Sequence, residues 1–255
     1  MLLRRISIHI RNQNWAAVIL DFVVVVFGIF IGLQVNNWNE ARKDRIKEDA
    51  LLVALASDFD EAAQQLAAVR RNHQTVAEAG QDILTYGEVG FVPEGERSRF
   101  ELLLSRHGAR FIFTPPMGTV ESLLGTDRIT LIRNQELIAQ LTQWPQLVAS
   151  LNETEVAARD HFHERLFPYL ASRLDFEDMD KGFVECCFTA PDLIFRIEYP
   201  WEQKPTDAYL LAQDIEFLNL IYWHWVHSMN KLQTLWLIED SLAAIQRLVE
   251  EEMRR

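Results

Sequence analysis

Histidines and carboxylates at short spacing are the residues of this chain best equipped for chemistry. His161-Phe162-His163-Glu164 and the pair His224 and His227 have the types that hold a transition metal. On a helix, His161 and His163 point about 200° apart and cannot share an ion, whereas His224 and His227, at i and i+3, face the same way. No cysteine or carboxylate stands at matching spacing beside that pair, and zinc wants a third protein ligand. Aromatic neighbours such as Trp225 point instead to a buried polar patch. His73 falls on an apolar helical seam and reads as a histidine at the edge of a core. Cys186 and Cys187 are the chain's two cysteines. Adjacent cysteines bond each other poorly, so they read as small buried hydrophobes rather than a thiol site. Asp175, Glu177, Asp178 and Asp180 could draw a divalent cation, but they lack EF-hand spacing and read as a solvated loop. There is no Gly-x-Ser-x-Gly elbow, phosphate-cradling loop or dinucleotide fingerprint. No catalytic, cofactor or metal site is expected, and a hydrolase or metal enzyme has no motif behind it.

Asp21 offers chemistry of another kind, because it stands inside the stretch WAAVILDFVVVVFGIFIGLQVNNW from Trp15 to Trp38. About twenty almost wholly apolar residues lie between these tryptophans, enough to cross the hydrocarbon core. Trp15 and Trp38 fall where interfacial aromatics are expected. A carboxylate inside the bilayer edge costs on the order of a few kcal/mol unless satisfied. On a helix Asp21, Val25, Gly28, Gly32 and Val35 share one stripe, and Gly28-x-x-x-Gly32 is a pattern that lets two helices approach closely. Two readings stay open. Asp21 snorkels to the headgroups and the glycines are incidental, or the stripe is a packed interface with Asp21 bonded to a partner helix. The common face favours the second.

The residues before the span, 1–14, hold Arg4, Arg5 and Arg11 and no acid, as a signal peptide would. The apolar run is too long for a signal core, however, and ends in Gln34-Val35-Asn36-Asn37-Trp38 rather than a small-residue cleavage site. A retained anchor is expected. Arg42, Lys43, Arg45 and Lys47 follow it, so positive charge nearly balances across the span. A short basic tail tends to stay inside while long domains translocate regardless of charge, which places the N-terminus in the cytoplasm. The large domain then lies outside a bacterial inner membrane, in the periplasm of a Gram-negative cell.

The elements that would carry these groups are helical. A net charge of −12, spread along the chain, excludes a nucleic-acid surface, and 49% apolar residues suffice for a core. Leu52, Leu55, Phe59, Ala62, Leu66, Val69, His73, Val76, Gly80 and Ile83 alternate steps of three and four, which predicts one long helix continuous with the span. From Trp15 to Tyr86 it would measure roughly 100 Å. Gly87 to Arg99 reads as a loop, Ser98 as the cap of a short helix ending at Gly108, and Phe111-Ile112-Phe113 as a brief extended run. Thr119 would cap a second short helix, broken at Gly125. Asn134 opens a longer helix with Leu137, Ile138, Leu141, Trp144, Leu147, Val148 and Leu151 on one face, which Pro145 should kink or split and Pro168 should break. Leu174 to Pro205 is irregular. Thr206 or Asp207 would cap a final helix whose seam is Leu211, Ile215, Leu218, Tyr222, Trp225, Met229, Leu232 and Trp236, passing to Ile238, Leu242, Ile245 and Val249. Phe217 to Met229 reads as the most buried part of a bundle. Asn219, His224, His227 and Asn230 argue against a second span.

Several of these segments resemble a family of uncharacterised bacterial single-pass membrane proteins. The likeness rests on Asn14-Trp15, Leu20-Asp21-Phe22, Gly28-Ile29-Phe30-Ile31-Gly32-Leu33-Gln34 and Asn37-Trp38-Asn39-Glu40-Ala41-Arg42. A looser second block runs from Thr119-Val120-Glu121-Ser122-Leu123-Leu124 to Ile132-Arg133-Asn134-Gln135-Glu136-Leu137. The resemblance implies a domain of unknown function and carries no activity.

The expectation is a mainly α protein: a basic tail over 1–14, a transmembrane helix over 15–38 and a helical extramembrane domain over 39–255. The long helix and the C-terminal helix should pack antiparallel in a bundle with irregular loops. The expected role is that of an accessory or interaction protein in the lipid bilayer, assembling with itself or another membrane protein through the Asp21 face. The alternative is a sensor-like module that encloses a ligand.

Overall fold

The computed structural model describes residues 15–174 and 208–254. The tail over 1–14, the acidic cluster from Asp175 to Asp180, Cys186 and Cys187, nearly all of the irregular stretch and the expected caps Thr206 and Asp207 lie outside them. The described residues are mainly α and contain no strand. Helix α1, Trp15–Val89, is unbroken over 75 residues, as the seam predicts. It ends at Gly90, whose φ of +77° is the left-handed turn that closes helices and that glycine adopts without strain. Its N–H bonds the Tyr86 carbonyl at 2.9 Å. Two compact units divide within α1, between Leu51 and Leu52.

The first unit is the apolar start of α1. An 18-residue window reaches a mean hydropathy of 1.5, and none of it is buried. Among the described residues this is the one helix long and apolar enough to cross a membrane. From Asn36 on the helix turns polar, with Asn36 bonded to Glu40 at 2.9 Å and Lys47 to Asp44 at 2.8 Å.

The second unit is a helical bundle. From Leu52 on, every member of the predicted α1 seam is buried, because steps of three and four keep one stripe against the neighbouring helices. After α1 come α2 (Arg97–His107), α3 (Gly118–Leu124), α4 (Gln135–His161), α5 (Phe167–Ala171) and α6 (Ile215–Met253). The α6 helix runs antiparallel to both long neighbours. Against α1, Arg70 bonds Glu239, and Gln246 bonds Asp60 at 2.7 Å. Against α4, Asn134 meets Glu252 at 2.8 Å, Ser241 meets Gln140 at 3.0 Å, and His161 meets the Leu220 carbonyl at 3.0 Å. These polar contacts, exposed against α1 and part-buried against α4, fix the register of the helices. The core supplies stability, with Phe59 edge-on to the fully buried Trp144 at one level. Ile83, Phe100, Leu104, Leu170, Phe217 and Ile221 fill another.

Several local expectations are corrected. Neither Ser98 nor Thr119 caps its helix: α2 begins after Glu96 and α3 after Met117, both without a side-chain cap bond. Gly108 and Gly125 end them as expected. Asn134 does cap α4, its side-chain oxygen accepting from the N–H groups of Glu136 and Leu137. Pro145 does not split α4, because Leu141, Trp144 and Leu151 around it are fully buried and packing outweighs one lost backbone bond. Pro168 does not break the chain either. It sits in the first turn of α5, where its missing N–H has no partner to lose, after a π-helical turn over Phe162–Leu166. The cap of the last helix is Asp214, which accepts from the N–H groups of Glu216 and Phe217.

The largest correction concerns which face of α6 turns inward. Ile215, Tyr222, Met229 and Trp236, expected in the core, are exposed. The buried stripe is Phe217, Ile221, His224, Ser228, Lys231, Leu235 and Ile238. The helix is rotated so that its polar groups meet polar partners inside. Only from Ile238 onward, through Leu242, Ile245 and Val249, does the expected seam hold.

Candidate functional site

The feature that sequence reasoning missed is a polar layer buried within the second unit. His73 of α1, His107 at the end of α2, Glu155 of α4, and His224 and Lys231 of α6 are each at most 5% exposed. His161 and His227 border the layer at intermediate burial. His224, His227 and Lys231 share one helix, and Glu155 and His161 share another; the tertiary fold brings these together with His73 and His107.

Backbone carbonyls hold the rings. His73 donates from Nε2 to the Phe111 carbonyl at 2.9 Å, and His107 donates from Nδ1 to the Val76 carbonyl at 3.0 Å. His224 donates from Nε2 to the His107 carbonyl at 3.1 Å, and His161 donates from Nε2 to the Leu220 carbonyl at 3.0 Å. A carbonyl can only accept, so each bonded nitrogen must carry the proton, and in the neutral form of His73, His107 and His224 the other nitrogen is a lone pair. Those lone pairs are unmatched at three buried atoms: His73 Nδ1, His107 Nε2 and His224 Nδ1. The Ile221 backbone approaches the His107 ring without completing a bond of good geometry. The rings also meet each other, His107 edge-on to His224 with centroids 4.6 Å apart, His161 stacked on His224 at 5.9 Å and tilted on His227 at 5.4 Å.

The extended run is part of the device. Ala109, Phe113 and Pro115 point in while Arg110, Ile112 and Thr114 point out, a two-residue alternation in an unpaired strand-like segment. Its Phe111 carbonyl serves His73, and its Phe113 N–H favours the ionised form of Glu155. Glycines make the close approach possible. A Cβ on Gly80 would collide with the His107 ring, and one on Gly108 with Phe162. Because His107 is fixed by its bond to Val76, it cannot step aside. Gly80→Ala is expected to cost about 1–3 kcal/mol by overpacking, measured as a lower urea midpoint with an unchanged slope.

Burial governs the charges here. It pulls His73 down to about 4, helped by the Lys231 cation and opposed by the Phe111 carbonyl. It pulls His107 to about 4 as well, against the Val76 and Ile221 backbone, and takes His224 well below its ordinary value. Lys231 itself is lowered to about 8 by burial, with Glu155 holding it up and Arg110 pushing it down. Burial raises Glu155, and Lys231 opposes that rise. At neutral pH His73, His107 and His224 are neutral imidazoles gathered around the buried Lys231 cation, which Glu155 helps to hold.

Of the sequence candidates, His224 and His227 do lie together, joined by His161 rather than by His163. Among the described residues no three His, Cys, Asp or Glu side chains converge as a metal site. Asp21, Val25, Gly28, Gly32 and Val35 all lie on α1 in the first unit, with Val25, Val35 and Trp38 exposed and open space around both glycines. Trp15 is the first residue of the helix.

No family model, curated protein or solved structure matches this chain. The fold defines its class: a mainly α protein whose helical bundle follows one helix with the length and apolarity of a membrane span. Anything more particular must come from its own residues.

Proposed function

We propose that the chain is a membrane-anchored accessory or interaction protein. In this reading residues 15–38 cross a bacterial inner membrane, the N-terminus lies in the cytoplasm and the bundle in the periplasm. The face made by Asp21, Val25, Gly28, Gly32 and Val35 packs against a second membrane helix, from another copy or from a partner protein. The observation that carries it is an apolar window that nothing among the described residues buries, with open space at both glycines. Lipid does not drive helices together by apolarity, so association rests on close packing at small residues and on satisfying polar groups such as Asp21. The likeness to uncharacterised bacterial membrane proteins supports the same placement and adds no chemistry.

Asp21→Leu combined with Gly28→Ile and Gly32→Ile is expected to abolish disulfide cross-linking through Val25→Cys in the span, and co-purification of any separate membrane partner, while leaving the melting of the bundle unchanged. Undiminished cross-linking through the span in that variant would rule this reading out.

A second reading is favoured by the buried polar layer: a sensor-like module in which protons or a small ligand act on the unmatched nitrogens. Its test is a shift in the melting of the full chain on ligand addition that a His107→Phe or His224→Phe variant no longer shows.

A further inference from the structure

Helix α6 is amphipathic the wrong way round over its first half. Its inward stripe carries His224, Ser228 and Lys231, while its outward stripe is Ile215, Asn219, Tyr222, Val226, Met229, Gln233 and Trp236, flanked by Trp223 and Leu237. An isolated bundle gains nothing from such a face, since the most apolar side of a surface helix belongs against something. Ile215, Tyr222, Trp223, Met229, Trp236 and Leu237 are between 43% and 71% exposed, and among the described residues nothing covers them.

We propose that two copies of the chain pair on this stripe. Its residues recur in steps of four and three, the spacing of a helix seam that meets an equal seam. Charge points to the same occupant. The chain carries −12, so two copies repel over most of their surfaces, yet between Glu216 and Glu239 the only charged residue is Lys231, which is buried. This is a patch where like can approach like. The two polar residues within it, Asn219 and Gln233, are neutral amides. Each has both donors and an acceptor, so they pair across a two-fold axis whichever way the helices run. Covering the exposed part of six such side chains buries roughly 600–800 Å² per copy, close to the ~800 Å² that each partner contributes to a standard interface. The inference stands apart from the proposed membrane contact, because it uses none of its residues.

The test is disulfide trapping of the full chain in bilayer nanodiscs, with Cys186→Ser and Cys187→Ser as background. Val226 lies at the middle of the stripe, so a two-fold axis brings it against its own copy in either direction. Val226→Cys is expected to give a covalent dimer on mild oxidation, and Glu121→Cys, exposed on α3, is expected to give none. Adding Tyr222→Glu and Trp236→Glu should reduce the Val226→Cys dimer at least tenfold without altering helicity. The dimer should persist when Asp21→Leu, Gly28→Ile and Gly32→Ile are introduced. Its loss there would assign the pairing to the membrane helix and overturn this interface. A Val226→Cys chain that stays monomeric would overturn it too. So would protection of the position by residues 175–207 of the same chain, seen as an intramolecular disulfide when Cys186 and Cys187 are retained, or quenching of the stripe's tryptophans by brominated lipid.

Discussion

Acidification from about pH 7 to about pH 5 is expected to lower the melting temperature of the second unit by roughly 10 °C or more. Linkage gives the direction. A histidine whose folded pKa lies below its unfolded value near 6.5 takes up its proton more readily when unfolded, so stability present above that value is lost as pH falls towards the folded one. His73 and His107, each brought to about 4 by burial, open a window between about 6.5 and 4. At about pH 5 each contributes a loss on the order of 2 kcal/mol, with His224 adding to it. At roughly 2–4 °C per kcal/mol for a chain of this size, the two alone account for the drop. Lys231 adds no slope here, since it is protonated in both states below about 8. Glu155 opposes the trend: burial raises it, so the folded protein takes up that proton first as pH falls. The histidines outnumber it. Melts of the full chain by circular dichroism between the two pH values measure the effect, and His73→Gln should flatten the slope. A melting temperature that does not move would mean the rings are not held neutral inside.

What could be read from the chain in advance, and what could not, follows one physical division. Local signals were legible where packing agreed with them: the α1 seam from Leu52 to Ile83 is apolar at every step but His73 and Gly80, and it lies inward throughout. Asn134 caps α4 because its side chain needs only two nearby N–H groups. The α6 orientation was illegible because apolarity and burial part company there. Tyr222, Met229 and Trp236 read as core on hydropathy alone, yet His224, Ser228 and Lys231 turn inward. The partners that make this worthwhile are the His107 carbonyl and the Glu155 carboxylate. Both come from elements more than sixty residues away in sequence. One clue was present: an unbroken helical segment with aromatic residues on all sides and a single lysine, whose charge had to go somewhere.

That lysine gives the second large effect, and its sign is unusual for a buried site. Lys231→Met is expected to stabilise the protein, by on the order of 1–3 kcal/mol at neutral pH. The ammonium group is held at about 8, against an ordinary 10.5, because burial disfavours the cation. A depression of that size corresponds to roughly 3 kcal/mol of unfavourable burial, which methionine of similar volume removes. Part of the gain is lost at Glu155, whose rise is then opposed by the Phe113 N–H and the Arg110 cation without Lys231. Lys231→Met with Glu155→Gln should therefore exceed the single variant, as replacement of buried ion pairs by packed neutral groups often does. The acid behaviour should change with it. Lys231 lowers His73, His107, His224 and His227 alike, so without it all four rings hold protons more readily and the acid transition moves to lower pH. Urea titrations of the single and double variants at two pH values separate the terms. Destabilisation by Lys231→Met at neutral pH would show that the cation is bound more favourably than its burial allows. The cost of burying this lysine, amid rings whose lone pairs have no partner among the described residues, is the observation on which the proposed sensor-like reading rests.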